Sequence, residues 1–317
     1  VRVKAIDLFA GAGGFTEGAE QVPRPRVRVV WAGNHWKLAV ETHNRNHPSV
    51  LHSCQDLHQA DWRVIPSMDI VLASPACTGH SQAASAVGKG QRGRAPMHDA
   101  LRSTAWAVVS CLEVHRPPAA LVENVPEFTK WILYPAWEQA MEALGYALHV
   151  NTFDAAEFGV PQNRKRIFIT AVRAKKPLIL ESPKLEPVPF ADCIDHSVDT
   201  WAPVSGKPPA VKGRVAKGRR SFPRGMFVTQ HVTGHPGRSI ERPLATITTK
   251  HQLALVREGR WGDEMRMLTV DELRCAMGFP DDYWLPKDRV CDSVKLLGNA
   301  VCPPVARELV QQVVNRI

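Results

Sequence analysis

The chain has 317 residues, room for one large domain and a smaller one. Its 44% hydrophobic and 22% charged residues are those of a soluble globular protein, and no apolar run approaches the ~18 residues that a membrane span requires. Lysine and arginine outnumber the acids 40 to 31, and the resulting +9 points to a polyanionic partner such as nucleic acid.

A first strand at 3–9 opens straight into Ala10-Gly11-Ala12-Gly13-Gly14, with no signal-peptide pattern before it. A helix at 14–20, a strand at 27–33 and a helix at 36–46 follow. The next strand, 69–73, runs into Ser74-Pro75-Ala76-Cys77. Residues 79–97 then read as a long polar loop carrying Lys89, Arg92 and Arg94, placed where a mobile lid would sit. A helix at 99–115, a strand at 119–123, a helix at 135–144 and a strand at 166–172 complete an alternating run. That alternation predicts an α/β doubly wound parallel sheet. From 173 to 240 the helical period fades into a proline-rich, irregular stretch. It carries the basic run Lys212, Arg214, Lys217, Arg219, Arg220 and Arg224, read either as a solvated flexible stretch or, by preference, as phosphate or base contacts. Helices return at 266–279 and 303–315. The domain reading is 1–172 plus 290–317 for the large unit, with 173–289 as a second, smaller irregular unit.

The seven cysteines form no CxxC pair, which predicts free thiols in a reducing, cytoplasmic compartment and no disulfide or zinc framework. Most should be small buried hydrophobes. Cys77 differs, because it stands at the carboxyl end of a strand, where α/β sheets place their chemistry. Glu123 and Asn124 end another strand, and the glycine loop ends a third. A thiol, an acid and a glycine loop on separate strand ends point to covalent catalysis with a bound cofactor. The loop has Thr16 where a dinucleotide fingerprint wants glycine, which argues against a nicotinamide oxidoreductase.

Ordered motifs over nearly the whole length give the chain a family likeness. They are Asp7-Leu8-Phe9-Ala10-Gly11-Ala12-Gly13-Gly14, Cys77 with Ser81, Glu123-Asn124-Val125 and Gln162-Asn163-Arg164-Lys165-Arg166. Arg242-Pro243-Leu244-Ala245-Thr246-Ile247-Thr248, Leu268-Thr269 through Gly278-Phe279-Pro280-Asp281, and Gly298-Asn299-Ala300-Val301 follow in the same order. With them the chain resembles the DNA (cytosine-5) methyltransferases of the bacterial and phage restriction–modification type.

The resemblance implies a Rossmann-like S-adenosylmethionine (SAM) domain with a small target-recognition domain at 173–289. It implies methyl transfer to C5 of a flipped-out cytosine in duplex DNA, with S-adenosylhomocysteine as the product. Cys77 is then the nucleophile for cytosine C6, Glu123 the acid at N3 and Arg166 the contact to O2, with Arg164 supporting the Glu123 region. Burial would favour the protonated Glu123 that this role needs. SAM falls to Asp7, Phe9, Gly11, Gly13, Gly14, Asn34, His35, Asp56, Leu57, Pro75, Asn299 and Val301. DNA falls to Ser81, Lys89, Arg92, Arg94, the basic run from Lys212 to Arg224, and Arg242. No metal is implied. The partners implied are duplex DNA bound by a monomer and a cognate restriction endonuclease.

Three positions depart from the family pattern. Ala76 stands before the nucleophile in place of proline, Thr78 follows it in place of the frequent glutamine, and Asn34 replaces the glutamate that holds the ribose hydroxyls. Two further readings therefore stay open: an inactive DNA-binding homologue, and an RNA cytosine-5 methyltransferase on the same fold.

Overall fold

The computed structural model describes residues 2–76, 103–231 and 236–317. The predicted lid at 79–97, with Lys89, Arg92 and Arg94, and the residues Cys77 and Ser81 lie outside the described residues, as do 99–102 of the predicted third helix. The chain divides into two compact units. One comprises Val1–Asp154, Lys165–Pro183 and Ala300–Ile317, the other Ala155–Arg164 and Lys184–Asn299. Among the described residues no helix is long and apolar enough to cross a membrane.

In chain order the first unit holds β1 (Arg2–Leu8), α1 (Gly14–Glu20), β2 (Arg26–Asn34), α2 (Lys37–Asn46), β3 (Leu51–Cys54) and β4 (Ile70–Ala73). It continues with α3 (Trp106–His115), β5 (Ala119–Asn124), α4 (Tyr134–Ala143), β6 (Ala147–Asp154) and β7 (Lys165–Val172). The helix Pro303–Val314 also belongs to this unit. The seven strands form a sheet in the order β3-β2-β1-β4-β5-β7-β6. Strands β1 to β5 are parallel. The two middle strands β4 and β5 are buried along their whole length, as the apolar runs Ile-Val-Leu-Ala and Ala-Ala-Leu-Val require. Ile6, Val71, Val122 and Ile169 pack with Val108, Leu112 and Trp137 in the main core, and the Trp137 Nε1–H donates to Ala105 O at 3.0 Å.

The parallel sheet expected from sequence needs one correction. Strand β7 runs antiparallel to both β5 and β6. No crossover helix joins β6 to β7, and without one a following strand returns antiparallel. Strands β3 and β6 were not among the predicted strands. Both are sheet edges, and their partly exposed residues lack a clean alternation.

The second unit is not irregular, and this too corrects the sequence reading. It contains β8 (Ala202–Pro203), α5 (Pro209–Ser221), β9 (Phe227–Gln230), β10 (Arg238–Ser239), β11 (Leu253–Gly259), β12 (Gly262–Met267), α6 (Val270–Ala276) and α7 (Val290–Asn299). The five strands form an antiparallel sheet in the order β10-β9-β11-β12-β8. Val204, Val215, Phe227, Ala254, Val256 and Met265 make its core. The basic run, read in the sequence as part of an irregular stretch, lies largely on α5, which starts with proline in its first turn and buries Val215 and Gly218. The helix expected at 266–279 starts later, because Thr269 and Glu272 form a capping box that fixes its N-terminus.

The unit boundaries differ from those read in the sequence. Residues 173–183 stay with the first sheet, where Leu178 O accepts from Thr170 Oγ1 at 2.6 Å and the Leu180 amide donates to Asn151 Oδ1 at 2.9 Å. Helix α7 groups with the second unit, where Gly298 lies against the backbone of Thr248.

The expectation of free thiols is also corrected. Cys193 and Cys275 form a disulfide with Cα atoms 5.6 Å apart. Their separation of 82 residues left no spacing signature. Cys111 and Cys302 are buried as expected, but the free Cys54 and Cys291 are exposed. Burial pushes the Cys111 thiol up to about 12, so it stays protonated and inert.

Candidate active site

The glycine loop follows β1 and turns through left-handed backbone. Gly11 has φ 56° and Gly13 has φ 88°. Phe9 shares this region at φ 62°, which is costly for a residue with a bulky side chain. The Ala10 amide donates to Gly33 O at 3.2 Å and the Gly13 amide to Ala10 O at 2.8 Å, so the loop is tied to β2 and closed on itself. A Cβ on Gly14 would lie 1.9 Å from Val301 O, so close backbone approach demands glycine there. Gly14 and Val301 thus fit one another, as two of the residues the sequence assigned to SAM.

Asp7 is fully buried under this loop. Its Oδ2 accepts from the Thr16 hydroxyl at 2.9 Å, and its Oδ1 has no partner among the described residues. Desolvation by burial raises its pKa to about 7, against the lowering effect of Thr16. Thr16 Oγ1 lies 3.0 Å from His43 Nε2, and His43 Nδ1 lies 2.8 Å from His52 Nε2. Burial, then the neighbouring His47 and His52, holds His43 well below the usual histidine range. This polar chain from a buried carboxyl to a half-buried histidine was not found in the sequence. Its members are spread from residue 7 to residue 52, and no short motif links them.

Three neighbouring strand ends carry further SAM candidates. Phe9 follows β1, Asn34 ends β2 and Asp56 lies just beyond β3. The Asn34 Oδ1 accepts from the Trp36 amide at 2.9 Å, which leaves the side chain its amide NH₂ to donate and a second lone pair on Oδ1 to accept. Asp56 is exposed, and its Oδ1 accepts from the His58 amide at 3.0 Å, which leaves Oδ2 toward solvent. Leu57 is buried in the core and His35 is exposed. An aromatic ring, an amide donor, a carboxylate and a glycine loop with an unpaired buried oxygen beneath it form a donor set suited to an adenosine with hydroxyl and amino groups. The residues therefore fit the cofactor that the motifs imply.

The segment leading to Cys77 is fixed residue by residue. After β4, the Ser74 amide donates to Leu8 O at 3.0 Å. Pro75 O accepts from Asn124 Nδ2 at 3.2 Å, and the Ala76 amide donates to Thr104 Oγ1 at 3.1 Å. Asn124 thus acts on the loop backbone. A proline at position 76 has no N–H to give Thr104, so this chain has a hydrogen bond where the family has a ring. Strand β5 is the neighbour of β4 and places Glu123 at its carboxyl end. Glu123 is buried and pairs with Arg166 of β7 through Oε1 and Nε at 3.0 Å. The sequence reading considered burial of Glu123 alone, and the structure adds this counter-charge. Arg166 Nη1 also donates to Lys165 O at 2.8 Å.

In the second unit the segment before Arg166 is stitched to the Arg-Pro motif. The Asn163 amide donates to Leu244 O and the Leu244 amide to Pro161 O, both at 2.8 Å. Gln162 Oε1 accepts from the Ile247 amide at 2.9 Å. Arg164 is buried and donates to Ile247 O at 3.1 Å and Gly298 O at 2.9 Å. These contacts make Arg164 a clamp on three motif segments. Arg242 and Asn299 are exposed.

The basic run divides. Lys212, Arg220 and Arg224 are exposed, as is Lys217, while Arg214 is half-buried. Arg219 is committed to the fold: its Nη2 pairs with Asp263 at 2.7 Å, and its Nη1 donates to Phe222 O and Gly225 O at 3.0 Å. Its guanidinium is thus already engaged within the second unit.

The model of the C-5 cytosine-specific DNA methylase family matches residues 3–200 and 206–315. The chain belongs to this family. Among curated relatives, the Type II methyltransferase M.NlaX of Neisseria lactamica is 27% identical, over 98% of this chain and 95% of the relative. The Type II methyltransferase M.SsoII of Shigella sonnei is 25% identical, over 100% and 81%. Among solved structures, the Entamoeba histolytica methyltransferase EhMeth has a TM-score of 0.72 at 14% identity, covering 100% of this chain and 99% of that one. The Dnmt2 methyltransferase of S. pombe has a TM-score of 0.69 at 15% identity, covering 100% and 99%. This C-5 cytosine-specific methylase therefore shares its mixed α/β fold with distant methyltransferases.

Proposed function

We propose that the protein methylates C5 of a flipped-out cytosine in a short duplex DNA site, through a covalent bond between Cys77 and cytosine C6. The observation that carries this reading is the Glu123–Arg166 pair, set beside a backbone that Asn124 holds two residues before Cys77. Flipping brings the base out of the stack, so that both of its faces can be reached.

The Cys77 thiolate adds to C6 and breaks the ring's conjugation, leaving C5 nucleophilic. Density moves onto N3 and O2. The Glu123 carboxyl holds a proton at N3, and the Arg166 guanidinium faces the charge at O2. When bound, SAM supplies an electrophilic methyl group. Phe9, Asn34 and Asp56 would hold its adenosine, with the glycine loop and Val301 around the methionine portion. After C5 has gained the methyl it gives its proton to a water molecule, and breaking of the C6–sulfur bond expels the Cys77 thiolate and restores the ring. Lys212, Lys217, Arg220, Arg224 and Arg242 would meet DNA phosphates, with Ser81, Lys89, Arg92 and Arg94 on the catalytic loop. A monomer on duplex DNA and a restriction endonuclease of matching specificity complete the reading.

The test is incubation with methyl-labelled SAM and mixed genomic duplex DNA, beside a Cys77→Ala control, with the product nucleoside read by mass spectrometry. Label in 5-methylcytosine with the intact thiol alone is the expected result. Label that survives in the control, or none despite DNA binding, overturns the reading.

A further inference from the structure

The opposite end of the first sheet carries charge that this mechanism does not use. Burial alternates along β1 and β2 so that Arg2, Lys4, Arg26 and Arg28 are exposed. The parallel register sets Arg2 beside Arg26 and Lys4 beside Arg28. Two like-charged pairs on neighbouring strands repel one another. Exposed Arg24 joins them, and a groove of about 800 Å³ is lined by Arg2, Arg24, Arg26 and Arg28.

Among the described residues, no carboxylate pairs with any of these five cations. Two acids are near and both are engaged: Glu20 lines the groove but lies 3.3 Å from His47 Nδ1, and Asp69 Oδ2 accepts from the Lys4 amide at 2.8 Å.

We propose that the amino ends of β1 and β2 form a second contact for duplex DNA, separate from the catalytic end of the sheet. The six residue steps from Arg2 to Leu8 place it roughly 20 Å from the glycine loop. Side chains two apart on a strand are roughly 7 Å apart, and adjacent strands roughly 5 Å, so a single small anion cannot answer the whole array. A linear polyanion can. Duplex DNA is the polyanion already within this family's chemistry, and the guanidinium fork matches its phosphates. The contact is independent of sequence, because it faces phosphates rather than base edges. It lets the enzyme hold one DNA segment while the catalytic end searches another.

The test is a titration of the protein with a short random-sequence duplex at several salt concentrations, followed by sedimentation. The wild type is expected to take up two duplexes per chain. The variant Arg24→Gln/Arg26→Gln/Arg28→Gln should take up one where the wild type takes up two; at low salt, where its weakened second site can still be titrated, that site's slope of log K against log salt should be lower by about 2.7, or 0.9 for each phosphate no longer neutralised. The Arg→Lys version at the same positions should keep both duplexes. One duplex on wild type and variant alike, with equal slopes, overturns the proposal. A wild type that binds one duplex and a variant that binds none would keep the basic face and sink the catalytic end of the sheet as a DNA site, so the two readings fail separately. Phenylglyoxal modification of the wild type needs no variant: the duplex should protect Arg24, Arg26 and Arg28. Protection by polyglutamate but not by duplex would assign the face to an acidic protein and overturn the proposal.

Discussion

Replacing Asp7 with asparagine tests whether the buried carboxyl under the glycine loop carries a proton near neutral pH. The folded pKa is about 7 against an ordinary value of 3.8, because the side chain is fully buried and the Thr16 hydroxyl only partly offsets the desolvation. The raised value gives the sign. Folding favours the protonated acid, so the contribution of Asp7 to stability is fully present below pH 3.8 and is lost as the pH rises through 7. Between pH 5 and pH 8 the loss is about 3 kcal/mol, from roughly two pKa units at 1.36 kcal/mol each. His43 works in the other direction. Its lowered pKa gives stability that is present above the usual histidine value and lost below it. Since both proteins keep His43, its effect cancels in their difference. The assay is urea unfolding of wild type and Asp7→Asn at half-unit steps from pH 5 to pH 8. The asparagine variant should gain on the wild type by about 3 kcal/mol across that range and then level off. A difference that stays flat with pH would falsify the assignment of a protonated Asp7. Adding Thr16→Val to the wild type supplies a further check. It removes the hydrogen bond that favours the carboxylate, so the wild-type loss should move to higher pH.

Four other substitutions separate fold from function. Glu272 and Arg266 form a fully buried pair at 2.6 Å, and Glu272 also accepts from the Asp195 and Thr269 amides. Glu272→Ala should cost about 3–5 kcal/mol in urea unfolding, because it leaves a buried guanidinium uncompensated; a cost under about 1 kcal/mol would contradict the pairing. On α5, Arg220→Ala should lower the salt slope of DNA binding by about 1 with stability unchanged. Arg219→Ala should do the reverse, lowering the melting temperature with the slope intact, since its charge is held by Asp263. Thr104→Val removes the acceptor of the Ala76 amide, at roughly 1 kcal/mol for the missing hydrogen bond. It should lower kcat while calorimetry finds SAM affinity unchanged, and a weaker SAM Kd would place Thr104 in the cofactor site instead.

What could be read in the sequence was whatever depends on near neighbours. The buried strands β4 and β5, and the helices at their flanks, declare themselves through continuous apolar runs and helical spacing. The glycine loop and the Glu123-Asn124 strand end are short motifs, and each was legible as it stands. Partners distant in the chain were not. Nothing local marks the bond between Cys193 and Cys275, or the pairing of Arg219 with Asp263, 44 residues on. Helix α5 was hidden because Gly213, Gly218 and its many cations dilute the apolar stripe to Val211 and Val215. The reversal of β7 lies in the missing crossover, which a succession of strands does not reveal.

The same distinction explains why the Gln162-to-Arg166 motif was only half understood. Read as a string, its two arginines are told apart only by the family resemblance. In the structure they differ in what they meet: Arg166 faces the Glu123 carboxylate, whereas Arg164 donates to two backbone carbonyls in segments more than 80 residues away. An arginine that satisfies carbonyls does so through fixed donor geometry, which lysine cannot copy. The motif therefore combines an arginine paired with a carboxylate and one that ties two carbonyls together. Its spacing of two along the chain puts the first on strand β7 and leaves the second in the segment that precedes it.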